Sequence, residues 1–316
     1  MAIKPAKPMK DLVVATTLPF DESGAIDWGS FRRLLDYCAV LPETSTVFVN
    51  GHAGEGATLS DAERSEVIAF ARSEIDPAKR LIAGIIAYST AEAVQQAKEA
   101  DAAGADGVVL FPMPQFAGGG AASVEAITAY AKAVLDGAGR PVSIFQFPLA
   151  SGLGYSREVM TALVRLPGVE AVKEGSDSFK AYEDNWRRIK EVAPHVSVLP
   201  SNFDWFLAQT ALGADGILSG LASLAPHYLA DLWRAAKAED LAAMREAGDV
   251  LYPIVRAIYG APPAMDMHTR IKACLQHLGI IDTAFPRPPL QPLDPETTRR
   301  MAEAADRAGF RRPVHA

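Results

Sequence analysis

The stretch Gly168-Val169-Glu170-Ala171-Val172-Lys173-Glu174-Gly175-Ser176 governs how the rest of the chain is read. Val169, Ala171 and Val172 give it strand character, and Pro167-Gly168 punctuates its entry. Gly175-Ser176-Asp177 reads as a turn followed by a helix N-cap. The segment is therefore a short buried strand that delivers a lysine to its C-terminal end. Taken alone, Lys173 has two readings. Its stem can cover apolar surface while the ammonium snorkels to water. Alternatively the amine is desolvated, its pKa falls, and the neutral form attacks a carbonyl carbon to give a Schiff base. The other strands have to decide between them.

Working outward, five similar apolar runs precede this one, at 12–17, 46–50, 80–87, 108–111 and 142–147, and two follow, at 195–199 and 215–219. Helical patterns separate them. One runs over 27–40 with Phe31, Leu34, Leu35 and Cys38 on a single face. Another starts at Ser60, where Glu63 completes a capping box. Others are expected near 124–136 and from about Phe203 to Leu212. The run Gly118-Gly119-Gly120 is read as a loop, because no Lys-Ser or Lys-Thr follows it as a P-loop requires. Eight strands alternating with helices predict a (β/α)8 TIM barrel over residues 1–236 rather than a doubly wound sheet. Residues 237–316 read as helices only, at 240–259, 264–278 and 295–307, broken by Pro262-Pro263 and a proline-rich segment. They form a C-terminal helical extension that packs on the barrel or on a neighbouring subunit.

The totals narrow the function classes. With 316 residues, 49% hydrophobic and 22% charged, the balance is that of an ordinary globular enzyme-sized chain. A net charge of -7 supplies no basic footprint, so nucleic acid is excluded as the expected partner. Cys38 and Cys274 lie far apart within amphipathic patterns and belong to no disulfide or metal spacing. No long uncharged apolar run or leader-type h-region is present, so no membrane association and a cytoplasmic location are expected. His268 and His277 have no metal-ligand spacing, so no metal site is expected. Trp186 and Trp233 fall at helical spacing and read as helix packing.

Reactive groups of such barrels lie at the C-terminal strand ends. Those ends carry Thr16, Thr17, the loop 51–55, Phe111, Phe145 to Phe147, Lys173, residues 202–204, and Ser219-Gly220. Lys173 is the only lysine or arginine among them, which suits a Schiff-base lysine in an apolar mouth. The turn Gly51-His52-Ala53-Gly54 could hold a carboxylate on its backbone N–H groups.

Several of these residues resemble a known family. Thr17 to Phe20, the glycines and Glu55 of Gly51-His52-Ala53-Gly54-Glu55, Gly104-Ala105-Asp106-Gly107, the strand ending in Pro148, Val172-Lys173-Glu174, Gly213-Ala214-Asp215-Gly216, Ser219-Gly220, Lys272 and Phe285-Pro286-Arg287 occur in the order of the dihydrodipicolinate synthase/N-acetylneuraminate lyase family. The resemblance implies a barrel homotetramer or homodimer in which Lys173 condenses with the keto group of pyruvate or a longer 2-keto acid. No metal or organic cofactor is then expected beyond the covalent imine on Lys173.

The departures bear on the substrate. Where that family carries two threonines and a fifth-strand tyrosine as a proton relay, this sequence has His52, Ala53 and Phe145. Ala150 stands where dihydrodipicolinate synthase has an arginine for its aldehyde substrate, so that particular activity is not expected. His52 is the candidate proton carrier, because an unperturbed imidazole titrates near neutrality; as a hydrogen-bonded loop histidine it would have no such role. Gln146, Ser151 and Tyr155 are candidates for orienting a substrate hydroxyl or a water. The pattern of Gln146 and Ala150-Ser151-Gly152 is similar to 2-keto-3-deoxy sugar acid dehydratases, and Asn202-Phe203-Asp204 is similar to the lyase branch, whose aspartate holds sugar hydroxyls. The expectation is a class I Schiff-base lyase, either a pyruvate-type aldolase or a 2-keto-3-deoxy sugar acid dehydratase. Lys173 and His52 would be catalytic, and Gly51, Ala53, Phe145, Gln146, Ser151, Asp204, Ser219 and Gly220 would bind substrate. The alternative is a barrel that binds keto acids without turning them over, because the relay is gone.

Overall fold

A computed structural model describes residues 9–201 and 205–310. The eight apolar runs become β1 (Asp11–Ala15), β2 (Thr44–Val49), β3 (Arg80–Ile85), β4 (Gly107–Leu110), β5 (Val142–Gln146), β6 (Val169–Glu174), β7 (Ser197–Pro200) and β8 (Gly216–Ser219). All pair in parallel in the order β7-β6-β5-β4-β3-β2-β1-β8. The seam between β7 and β8 is closed by Asp215. Its backbone N–H donates to the Val198 carbonyl at 3.1 Å, and its carboxylate accepts from Val198 N–H at 2.7 Å and Lys190 Nζ at 2.6 Å. The result is the TIM barrel that eight alternating runs require.

The alternation of side chains along each strand separates two apolar layers. Leu12, Val14, Val47, Val49, Leu81, Val108, Ile144, Val172 and Val198 face outward, in one core with the helices. Val13, Ala15, Phe48, Ile82, Val109, Phe111, Phe145, Ala171, Leu199 and Leu218 fill the lumen. At the N-terminal end Arg80 forms a two-pronged ion pair with Glu170, at 2.9 and 3.0 Å.

The outer ring is α1 (Trp28–Ala39), α2 (Asp61–Glu74), α3 (Thr90–Ala102), α4 (Val124–Ala138), α5 (Arg157–Val164), α6 (Phe179–Val192), α7 (Phe206–Leu212) and α8 (Pro226–Lys237). Six begin on side-chain caps: Asp27, Ser60, Ser89, Ser123, Ser156 and Ser178 each accept from a backbone N–H one turn on. Ser60 and Glu63 form the expected capping box. The first strand ends at Ala15 and the seventh starts at Ser197, each two residues inside the expected limits. The glycine-rich segment after β4 holds two short 3-10 turns, Pro114–Phe116 and Gly120–Ala122. Trp186 and Trp233 serve packing: their indole N–H groups donate to the Gly213 carbonyl and to Asp11.

The C-terminal helices are α9 (Leu241–Tyr259), α10 (Met267–His277) and α11 (Pro295–Arg307). Ala264–Asp266, expected as part of α10, is a 3-10 turn. Thr269 to Leu275 are all buried, so α10 is wedged between the barrel and its two companions. Lys272, fully buried, forms an ion pair with Glu55 of the loop after β2, donates to the Phe285 carbonyl at 3.1 Å, and sits 4.4 Å from the Phe20 ring centre. Arg287 continues the stitch: its backbone N–H donates to Glu55 at 2.8 Å and its guanidinium pairs with Glu63 at 2.6 Å. Among the described residues no helix is long and apolar enough to cross a membrane.

Breaking a buried ion pair from one side strands the other charge, at about 3–5 kcal/mol. Glu55→Ala is therefore expected to destabilise the protein by that amount in chemical denaturation. The double change Glu55→Gln, Lys272→Met should recover more than half of the loss. A Glu55→Ala variant within about 1 kcal/mol of wild type would remove this pair from the account of how the extension is held.

Candidate active site

Register places the key side chains. Phe145 on β5 lies opposite Lys173 on β6, and Gln146 lies opposite Glu174. Phe145 and Lys173 point into the lumen, so their successors point out. The Lys173 Nζ sits 3.7 Å from the centre of the Phe145 ring and 5.6 and 5.9 Å from those of Phe48 and Phe111. The side chain is 7% exposed, and among the described residues no hydrogen bond or ion pair is made by its amine. Aromatic faces favour a cation by about 0.5–2 kcal/mol, less than the several kcal/mol that desolvation takes from a buried ammonium. Desolvation wins, and it lowers the Lys173 pKa from 10.5 to about 7.

This amine lines a cavity of about 280 Å3 at the C-terminal end of the barrel. Ala15, Phe48, Phe145, Phe147 and Pro148 give the cavity an apolar wall. Among the described residues its polar groups, besides Lys173, are His52, Asp177, Ser201 and His268.

His52 arrives on a tightly folded loop. Asn50 and Glu55 both adopt the left-handed backbone region, with φ of 57° and 51°. Gly56 and Gly84 leave room for the Asn50 carbonyl, since a Cβ on either would lie 2.0 or 2.3 Å from that oxygen. The turn directs His52 and Ala53 into the cavity. The imidazole stands edge-on to Phe111, Phe147 and Phe145, with ring centres 4.8, 5.4 and 5.7 Å apart. By surface area the side chain is exposed, and it lines this cavity and a neighbouring one. Desolvation by the surrounding protein, and Lys173 nearby, hold its pKa below the usual imidazole value. Among the described residues the backbone N–H groups of His52, Ala53 and Gly54 donate to no backbone carbonyl, and of the three residues His52 and Ala53 line the cavity.

Of the expected site residues, Lys173, His52, Ala53, Phe145 and Gly220 converge on the cavity, and others do not. Gln146 faces the helices, where its amide donates to the Tyr155 carbonyl and accepts from the Tyr155 N–H, both at 3.1 Å. Ser151 is exposed and bonds the Pro148 carbonyl and the Leu153 N–H. Ser219 caps the turn after β8 by accepting from Leu221 N–H at 3.1 Å. Gly51 is off the cavity wall and lies against the Phe48 ring, which a Cβ would meet at 2.7 Å. None of these four is among the residues that line the cavity, and each is engaged in local structure. Tyr155 is buried in the outer core. Asp204, with Asn202 and Phe203, lies outside the described residues.

One cavity residue that the strand-end argument missed is His268, on the first turn of α10. Its Nε2 and the Ala53 Cβ each lie 3.3 Å from where a side chain on Gly220 would begin. Burial, followed by the nearby His52, Lys173 and Lys272, depresses its pKa well below the usual value. A signal existed in the sequence: His268 stands four residues before Lys272, hence on the same helix face. Among the described residues no three His, Cys, Asp or Glu side chains group so as to hold a metal ion.

Comparison with known proteins shows the family. A sequence model of the dihydrodipicolinate synthetase family matches residues 8–308. The chain belongs to the dihydrodipicolinate synthetase family. Among its relatives in that family, the 4-hydroxy-tetrahydrodipicolinate synthase of Corynebacterium aurimucosum is 29% identical over 308 residues, covering 94% of this chain and 93% of its own. That of Caldicellulosiruptor bescii is 28% identical over 246 residues, covering 78% and 80%. The dihydrodipicolinate synthase of Aquifex aeolicus superposes with a TM-score of 0.85 at 24% identity, over 96% of this chain and 99% of its own. A prophage protein of the dihydrodipicolinic acid synthase family from E. coli K12, solved in complex with pyruvate, gives 0.86 at 22% identity, over 96% and 99%. These likenesses carry the barrel fold of the dihydrodipicolinate synthetase family.

A buried amine has a pH signature. With the folded pKa lowered to about 7 and the unfolded value near 10.5, the unfolded chain binds more protons across that window, so stability rises with pH through it. The penalty for Lys173 is complete below pH 7. Lys173→Met is expected to stabilise the protein by a few kcal/mol at pH 6 and by less at pH 9. Equal or lower stability at pH 6 would mean that the amine is well solvated or paired.

Proposed function

We propose that the protein is a class I lyase that forms a Schiff base between Lys173 and the keto carbon of a 2-keto acid. The observation that carries this reading is the buried Lys173 amine, which makes no hydrogen bond or ion pair among the described residues, at the wall of a cavity of about 280 Å3; burial brings its pKa down to about 7. An amine that is neutral at working pH is a nucleophile, and the imine it forms is an electron sink for carbon–carbon cleavage or loss of water. The backbone N–H groups of His52 and Ala53, which have no backbone acceptor among the described residues and belong to cavity-lining residues, support binding of the substrate carboxylate. The His52 ring, in the same cavity, supports a role in proton transfer.

Phe145 and Ala150 stand where the family resemblance calls for a tyrosine and an arginine, which argues against dihydrodipicolinate synthesis as the reaction. The sugar-acid reading keeps its 2-keto acid core but loses Gln146 and Ser151 as hydroxyl ligands, since both are engaged within the fold. Aldol cleavage and dehydration both follow from the same imine. No cofactor enters the proposal, and assembly as a homotetramer or homodimer belongs to it by resemblance.

Phe145 also favours a second reading, a barrel that captures keto acids without turnover. Incubation with pyruvate and borohydride is expected to add a reduced pyruvyl group to Lys173, and to give none in Lys173→Met. The adduct should form faster as pH rises and level off above about 7. Absence of the adduct defeats the Schiff-base claim. An adduct with no product from any of a panel of hydroxylated and unhydroxylated 2-keto acids would favour capture alone.

A further inference from the structure

We infer that His268, supplied by the C-terminal extension, is a second catalytic imidazole that shares with His52 the proton transfers of imine formation at Lys173. The inference rests on the Schiff-base reading above and supplies what that reading lacks, a relay in place of the missing tyrosine hydroxyl.

Three observations place His268 in this role. First, its ring lines the same cavity as Lys173 and His52, and no other helix of the extension reaches the cavity among the described residues. Second, its nitrogens make no hydrogen bond or ion pair among the described residues, whereas His277, on the same helix, is paired with Asp306 at 2.9 Å. An imidazole held for structural reasons would ordinarily be bonded to the fold. Third, its position is fixed. Lys272, one turn further along α10, is anchored to Glu55, and Glu55 lies three residues after His52. One buried ion pair therefore sets both histidines relative to the amine. Gly220, with no side chain, leaves the space between Ala53 and His268 open.

The chemistry needs two proton positions. Attack of the neutral Lys173 amine on the keto carbon forms the C–N bond and leaves a positive nitrogen and a negative oxygen. One imidazole takes a proton from that nitrogen while the other delivers a proton to the oxygen, which gives the carbinolamine. A second proton to the hydroxyl breaks the C–O bond and releases water, leaving the protonated imine. The sum is one amine, one ketone and one proton to one iminium and one water, with the extra proton drawn from solvent through the imidazoles. A neutral imidazole accepts at one nitrogen and donates at the other, so both rings can serve without being cationic at rest. The substrate carboxylate, once bound beside them, favours their protonated forms.

The test uses pyruvate as probe and the rate at which cyanoborohydride fixes it on Lys173, read by mass spectrometry. Wild type must first form the adduct; if it does not, the Schiff-base reading itself fails. Given the wild-type adduct, His268→Asn and His268→Gln are expected to slow its formation by about 100-fold while melting as wild type does. In His268→Gly, added imidazole should restore part of the rate. A wild-type rate in a folded variant, or a slow rate that imidazole leaves unchanged, overturns the inference. A readout on the unmutated protein guards against variants that fail to fold. The 15N resonances of His268 should shift when the pyruvyl adduct forms, and unmoved resonances would equally overturn it.

Discussion

The withdrawal of one ammonium from water is the constraint on which the site depends. Lys173 lies among Phe48, Phe111 and Phe145, with no carboxylate paired to it among the described residues, so its charge has little to sustain it. An isolated buried charge escapes its penalty most readily by losing a proton. The same aromatic lumen that fills the barrel therefore lowers the pKa of a lysine, as the proposed Schiff-base chemistry requires. Phe145 takes part in both tasks, as the nearest ring to the amine and as a member of the luminal core.

The second buried lysine is treated oppositely, and the contrast is informative. Lys272 is as deeply buried as Lys173, yet it has Glu55 against it and the Phe285 carbonyl beside it. Burial lowers its pKa and the carboxylate works to raise it again, so it ends nearer its ordinary range, at about 8. One amine is held by its partner and fixes the extension to the barrel. The other has no such partner among the described residues, as the proposed chemistry requires. Because Glu55 belongs to the loop that carries His52 and Lys272 to the helix that carries His268, the structural pair also sets the geometry around Lys173.

Most of the barrel was legible in the chain because a parallel strand buried on both faces leaves a compact apolar run, and eight such runs with serine-capped helices leave few alternatives. Lys173 was legible for the same reason, as a basic residue at the end of one run. Side-chain direction was harder to see. Gln146 looked like a cavity residue beside Phe145, but neighbouring positions on a strand face opposite sides, and the pairing of Gln146 with Glu174 sends both outward. Ser151 and Ser219 read as polar strand-end groups, yet short hydroxyls close to a turn satisfy backbone atoms first. His268 was hidden because it comes from a helix far along the chain, and only the tertiary link through Lys272 brings it to the cavity.

The central claim is that Lys173 titrates near neutrality, so that a large share of it is neutral at physiological pH, and titration of its amine tests this most directly. Following the Lys173 Nζ resonance by 15N NMR, with Lys173→Met to assign the signal, should give a midpoint near 7. A midpoint near 10.5 would contradict the account, because a solvated or paired ammonium could not be the nucleophile that the proposal requires.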